Sequence, residues 1–462
     1  MAKIPNCRFK CTLCSLLGGD YMEEFIKTLT EQIRCVKARE GIARELSDHI
    51  LDQSNTYEQS GMSHEEALEK AVLEMGDPVE TGIALDRIHR PQLDWKMLLM
   101  TFVFSIAGFL IMLTVGKLSE YYPATRQFLF MLISFGIIIG VYFLDYSFLG
   151  KYGLILYIAL TAVFFFHCKT AVRIHGRIPG MSFLVSLYAP VYAGVLYQLR
   201  GKGYSAILKG IAMLFLTIVL GNTFATSSTI LNLYFICAAI LMTAIYKKWF
   251  QVNKKWALAA LILILLVIPV LIVLYITFLR PDLTSFRVMR LRAILDPNTY
   301  KTGAGYIYTV IHENLSNSKL IGIGKLPSSE IFIKESTFYP LLLIGSYGRL
   351  AGYVLALAIV LFLLRAFYIV RRQKNQLGFI ISVACLLTFS LNCCEIFFIN
   401  IGTFPATSLL LPFLTYGGSA TLTHAVFIGL LLSIHRHEKI VSDCTYHSNM
   451  KLKQHFQWLI KD

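Results

Sequence analysis

Ten apolar runs divide this sequence, at about 97–116, 128–146, 153–168, 181–199, 206–221, 229–246, 256–279, 339–366, 377–396 and 409–434. Each approaches the roughly twenty residues that carry a helix across the hydrocarbon core of a bilayer. In that core the backbone must satisfy its own hydrogen bonds, which only helices and closed barrels do. The pattern predicts an all-α polytopic membrane protein with about ten transmembrane helices. Composition agrees, because only 15% of the residues are charged, against about one-quarter in soluble domains.

The net charge of +15 raises nucleic acid as a partner. The basic residues flank the apolar runs, however, where anionic lipid headgroups account for them, so the membrane is the expected partner and nucleic acid is not. An even number of spans puts both termini on one side. Lys247, Lys248, Lys254 and Lys255 share one connection, and Arg371, Arg372 and Lys374 another. The positive-inside rule therefore makes the N- and C-termini cytoplasmic. Lys169, Arg173 and Arg177 fall in a connection that this topology places outside; either the rule is overridden locally or these cations serve an anionic ligand. The connection at 280–338, also outside, is longer than joining two spans requires and is expected to be functional.

Residues 1–21 are expected to be a disordered tail, with Met22 as an alternative translation start. Cys7, Cys11 and Cys14 have a spacing that can hold an iron–sulfur cluster, but no catalytic barrel follows them. Residues 22–91 are charged and amphipathic and read as a small helical cytoplasmic domain. Its helices are expected at about Met22–Val36 and Arg39–Tyr57, then after Ser63-His64-Glu65-Glu66, a capping-box pattern, and after Asp77-Pro78, a cap followed by a helix-starting proline. His49 and His89 stand alone on these helices, and no residue is assigned to a metal. Cys168, Cys237, Cys385, Cys393 and Cys394 lie in apolar segments and read as packing. Residues 437–462 form a cytoplasmic tail.

Inside the last run, Leu411-Pro412-Phe413-Leu414-Thr415-Tyr416-Gly417-Gly418-Ser419 interrupts an otherwise spanning sequence. Pro412 lacks a backbone donor, the two glycines tolerate dihedrals closed to other residues, and three hydroxyls sit where lipid offers no partner. Such backbone survives at membrane depth only when buried in protein or lining a wet cavity.

This segment resembles the L-P-F-x-S-Y-G-G-S signature of the SEDS family, the FtsW, RodA and SpoVE cell-wall proteins, with Thr415 where serine is usual. Asn400-Ile401-Gly402 is also similar to the family. So are Phe286-Arg287-Val288-Met289-Arg290, Leu295-Asp296-Pro297, Gly303-Ala304-Gly305-Tyr306 and Ile321-Gly322-Ile323-Gly324 in the long loop. The resemblance covers about 97–436 and includes ten spans with the large loop after the seventh. Residues 22–91 resemble the permease prefix domain found before several bacterial membrane proteins.

The SEDS resemblance implies peptidoglycan synthesis in division, shape or sporulation, by a glycosyltransferase that polymerises lipid II or another undecaprenyl-diphosphate-linked glycan. It also implies a class B penicillin-binding protein as partner. Arg287 and Arg290 would hold the diphosphate, and Tyr416, Gly417, Gly418 and Ser419 of the signature would also bind substrate. Cofactors are left unassigned.

The family's catalytic aspartate precedes the eighth span, and the aligned stretch here is Glu335-Ser336-Thr337-Phe338, with Thr337 at the aspartate's position. A threonine hydroxyl is no general base near neutral pH. In an extended loop Glu335 would face the same side as Thr337 and supply the carboxylate. The family's fourth-span glutamate and lysine are absent from Leu187–Gly194, and Ile307 replaces a glutamine; Arg200 and Lys202 remain as headgroup candidates. Glu395 is either an intramembrane functional carboxylate or a residue near the outer interface. His424 reads as a hydrogen-bonded packing residue. Two further functions stay open: a non-catalytic SEDS scaffold or regulator that binds lipid-linked precursor, and a transporter of lipid-linked intermediates.

Overall fold

The structure, a computed structural model, describes residues 19–114, 123–171, 178, 180–222, 227–279, 281–322, 332, 335–407 and 409–438. The chain divides into two compact units, 1–92 with 436–462, and Leu93–His435. The expected tail segments 1–18 and 439–462, with the cysteine cluster, lie outside the described residues.

Among the described residues the first unit holds four helices, α1 (Gly19–Glu31), α2 (Val36–Gln59), α3 (His64–Glu74) and α4 (Pro78–His89). Ser63 and Glu66 form the reciprocal capping box, and the Asp77 carboxylate accepts from the Val79 and Glu80 amides at 2.6 and 3.2 Å. Phe25, Leu29, Ile33, Ile50 and Leu68 fill the core. α1 ends at Glu31 and α2 starts at Val36, a different break from the expected one. Arg39 donates to the carbonyls of Ile33 and Glu31, and Cys35 is extended, so the chain turns there while Ile33 stays buried.

The second unit contains α5 (Trp95–Thr114), α6 (Ala124–Phe143), α7 (Ser147–Thr170), α8 (Met181–Ser186), α9 (Tyr188–Gln198), α10 (Tyr204–Asn222) and α11 (Ser227–Tyr246). It continues through α12 (Lys254–Leu279), α13 (Pro281–Leu295), α14 (Tyr306–Asn317), α15 (Tyr339–Tyr347), α16 (Arg349–Arg372), α17 (Gln376–Ile401) and α18 (Gly418–Arg436). Among the described residues eight helices are each long and apolar enough to cross a membrane. The chain is a multi-pass membrane protein.

Every apolar run becomes helix, but three are broken. The fourth splits at Leu187 into α8 and α9, because Pro190 cannot donate back to the Ser186 carbonyl. The eighth splits at Gly348, whose φ of +94° suits glycine. The tenth begins with non-helical backbone and becomes α18 only at Gly418. Within the long connection, α13 and α14 are regular helices.

Close approach holds the bundle centre together. A Cβ on Gly153 would lie 2.6 Å from the Gly194 carbonyl carbon, and one on Gly194 would lie 2.3 Å from the Leu149 carbonyl oxygen, so α7 and α9 touch backbone to backbone. Tyr152 interrupts α7, and the Gln198 side chain repairs the break by donating to the Lys151 carbonyl and accepting from the Leu154 amide, at 2.7 and 3.1 Å. α17 packs against α9, α11 and α16. At the start of α5, Asp94 is fully buried and pairs with Arg365 of α16 at 2.8 Å while capping the Met97 amide.

Candidate active site

Thr337 occupies a single 3-10 turn, Ser336–Phe338, directly before α15. It is 2% exposed. Its hydroxyl lies within hydrogen-bond distance of two carbonyls, at 2.7 Å from Leu409 and 3.2 Å from Thr407, on the strand of chain that leads into the signature. Asn400, near the end of α17, closes the arrangement from the other side. Its amide nitrogen donates to the Thr337 and Ile396 carbonyls at 2.9 and 2.8 Å, and its oxygen accepts from the Leu341 amide at 3.1 Å. These hydrogen bonds lock three segments together.

The turn also separates the two acidic-site candidates. Residues two apart face the same side only in extended chain; in the 3-10 turn Thr337 points inward while Glu335, at its start, is exposed. Glu335 therefore does not occupy the space of the Thr337 side chain, contrary to what an extended loop would give. It lies at the surface of the node.

Leu411 to Thr415 are buried. Phe413 adopts φ +62°, a rare conformation for a bulky residue. Burial of its ring near His424, 6.3 Å between centroids, holds it there. His424 is stacked on Phe389 at 5.6 Å, and its Nδ1 has no hydrogen-bond partner among the described residues. It packs by ring contact and not, at that nitrogen, by the expected hydrogen bond.

The signature glycines are demanded by proximity. A Cβ on Gly418 would lie 2.5 Å from the Phe130 ring of α6, and one on Gly417 2.6 Å from Leu410 Cδ1. From the other side Gly108 of α5 lies against the Leu414 carbonyl. Tyr416 packs on the cluster of Tyr339 and Leu342, which follows Thr337 in the chain, so the signature and the turn share one node. Ser419 is exposed and lines a cavity of about 320 Å³ with Gly180, His167, Phe183 and Thr423, between α7, α8 and the start of α18.

The loop arginines are placed differently. Arg290 is exposed on α13, which packs onto α12. The Arg287 side chain lies outside the described residues, as do Arg173, Arg177, Ile323 and Gly324. What joins the long loop to the node is α14. The Ala406 amide donates to the Tyr308 hydroxyl at 3.2 Å, and a Cβ on Gly402, whose φ is +85°, would lie 2.8 Å from His312 Nε2. Asp296 and Gly305 shape the turn ahead of α14. Thr299 donates to the Asp296 carboxylate and holds it below its ordinary pKa, and Gly305 lies against the Pro297 and Tyr300 carbonyls. Arg200 stacks over Tyr197 and Trp249.

Glu395 lies in α17 six residues before its end. It is 8% exposed, accepts from Asn232 of α11, and its Oε2 has no hydrogen-bond partner among the described residues. It is buried between helices. Asn400, Tyr308 and His312 were not among the site residues that the sequence suggested, although Asn400 stood inside a family-like triplet.

Residues 92–440 match the sequence model of FtsW/RodA/SpoVE proteins, described as "Cell cycle protein". This chain belongs to the FtsW/RodA/SpoVE family. Peptidoglycan glycosyltransferase MrdB of Escherichia coli (strain K12) is 28% identical over 204 residues, covering 42% of this chain and 52% of that protein. A probable peptidoglycan glycosyltransferase FtsW of Thioalkalivibrio sulfidiphilus is 30% identical over 160 residues, covering 33% and 40% respectively. The FtsW/RodA/SpoVE chain thus spans about half the length of the curated relatives it matches.

Solved structures extend the likeness in fold. One is a chain of a peptidoglycan synthase complex that coordinates polymerization and crosslinking, with a TM-score of 0.59 and 17% identity over 74% of this chain and 98% of that one. Another is a variant of the rod-shape-determining protein RodA of Thermus thermophilus, at 0.50 and 14%, covering 75% and 98%. At such identities the shared property is the FtsW/RodA/SpoVE fold.

Proposed function

We propose that this chain works in bacterial peptidoglycan synthesis, in division, cell shape or sporulation, by binding lipid II or an undecaprenyl-diphosphate-linked glycan at the node formed by Thr337, Asn400 and the signature. The observation that carries this reading is the node itself, where the family signature, the turn at the family's aspartate position and Asn400 are joined by hydrogen bonds and packing. Tyr416, Gly417, Gly418 and Ser419 contribute to the precursor site, Ser419 from the wall of the cavity it shares with His167 and Thr423, and Arg287 and Arg290 meet the diphosphate, a task suited to guanidinium forks.

Polymerisation needs a base for the attacking sugar hydroxyl. Glu335 is the carboxylate in position to act, being exposed beside the buried turn. The names of the relatives, peptidoglycan glycosyltransferases, support this assignment. Likeness to a chain of a peptidoglycan synthase complex supports a class B penicillin-binding protein as partner. The cationic connections at 247–255 and 371–374 support cytoplasmic termini, with residues 22–91 as a permease-prefix-like cytoplasmic domain.

A second reading has its own observation. The Thr337 hydroxyl is committed to backbone carbonyls, so the aspartate's position has become a structural tie, as expected of a scaffold that binds precursor without polymerising it. The deciding experiment offers labelled lipid II to the purified chain with a cognate transpeptidase. Polymer from wild type that disappears in Glu335→Ala supports the enzyme; precursor binding without polymer supports the scaffold. Polymer unchanged in Glu335→Ala removes Glu335 from the mechanism.

A further inference from the structure

The N-terminal four-helix domain carries a groove of about 350 Å³ where α1 meets α3 and the start of α4. Phe25 and Val72 form its buried floor, while Tyr21 and Leu73 line it at 52% and 63% exposed. Glu24, also exposed, lines it as well. One exposed leucine means little by itself, but large exposed side chains over a buried apolar floor make a surface that another apolar segment can cover.

Charge narrows the choice of occupant. Residues 22–91 hold fifteen Asp and Glu against eight Lys and Arg, more than half of the 28 acidic residues of a chain whose net charge is +15. A complementary segment is apolar on one side and basic elsewhere. Residues 439–462, outside the described residues, contain such a stretch. At helical spacing Leu452, Phe456, Leu459 and Ile460 share one face, and Lys451, Lys453 and Lys461 fall outside it.

This stretch also follows from the right place. Arg436, where α18 ends, belongs to the same compact unit as the four helices, and His437 is buried. The twelve residues 439–450 can reach about 40 Å when extended, more than the roughly 30 Å across a small domain.

We propose that Lys451–Lys461 of this same chain docks as an amphipathic helix in the groove between α1 and α3. Leu452, Phe456 and Leu459 would lie against Phe25, Val72 and Leu73, with the lysines toward the domain's carboxylates. A bilayer surface also takes basic amphipathic helices, but it leaves the groove uncovered and the acidic domain unmatched. The docked segment would close the groove to any other partner. Docking is independent of the reaction at the node.

The test places a photo-cross-linking residue at position 73 of the full chain in native membranes and identifies the captured peptide by mass spectrometry. Illumination should join position 73 to residues 451–461 within one chain. The same probe at position 36, which is 73% exposed at the start of α2 and outside the groove, should not capture them. Phe456→Asp should lower capture about tenfold, as loss of one buried aromatic side chain does, and the change leaves the four helices untouched. Salt at about 1 M, which screens exposed charges beyond about 3 Å, should lower capture as well. Absence of capture, or cross-links from position 73 to lipid, to another protein or to a second copy of the chain, would overturn the proposal. A probe at position 455, beside the apolar face, gives the reciprocal reading. Peptides spanning 21–28 or 72–78 support docking, whereas lipid assigns the segment to the bilayer and contradicts it.

Discussion

Asn400 does more at the node than any other side chain, because one amide group meets three backbone partners on three elements. Replacing it with alanine leaves the Leu341 amide and the Thr337 carbonyl buried without those partners, and each such loss costs about 1–3 kcal/mol. Asn400→Ala should therefore lower the melting temperature of the purified protein markedly, while Asn400→Asp, which keeps the acceptor, should lower it less; equal melting of all three would remove Asn400 from this role. Thr337 invites a different substitution. An aspartate there would direct its oxygens at the Thr407 and Leu409 carbonyls, which only a protonated carboxyl can satisfy as a donor. Its folded pKa would exceed its unfolded value, so its contribution to stability is present at low pH and lost as pH rises. Thr337→Asp should melt lower at pH 8 than at pH 5 by a margin that wild type does not show.

Among the elements, the contact of α7 with α9 depends on the absence of side chains. A Cβ at Gly194 would meet backbone, which cannot swing aside as a flexible side-chain end can. Gly194→Ala should therefore reduce thermal stability, and Gly136→Ala, where a Cβ meets nothing within 4 Å, should not. Local chemistry made several elements legible in advance. Ser63 with Glu66, Asp77 with Pro78, and the length of each apolar run carry their meaning within a few residues. The breaks in the spans were harder. Pro190 marks its break only once α8 and α9 are placed, and Phe413 holds a positive φ because its ring is buried near His424, a contact invisible along the chain. The separation of Glu335 from Thr337 likewise depends on a three-residue turn whose shape is set by carbonyls some seventy residues away. Arg290 shows the limit from the other side, since its motif was readable while its position on α13 was not.

At the scale of the whole molecule, the proposed topology puts the candidate site on the face opposite the proposed cytoplasmic termini. Reporter fusions at both ends should read as cytoplasmic, and a cysteine introduced at Glu335 should react with an impermeant thiol reagent applied from outside; protection of that cysteine in intact cells would invert the topology. The preserved signature and the altered aspartate position then pose one question about the reaction. Labelled lipid II, presented to the purified chain together with a cognate transpeptidase, answers it most directly. The account predicts that wild type binds the precursor and extends it into glycan, and that Glu335→Ala binds it without extending it. Failure of a correctly folded wild-type chain to bind lipid II at all would contradict the account.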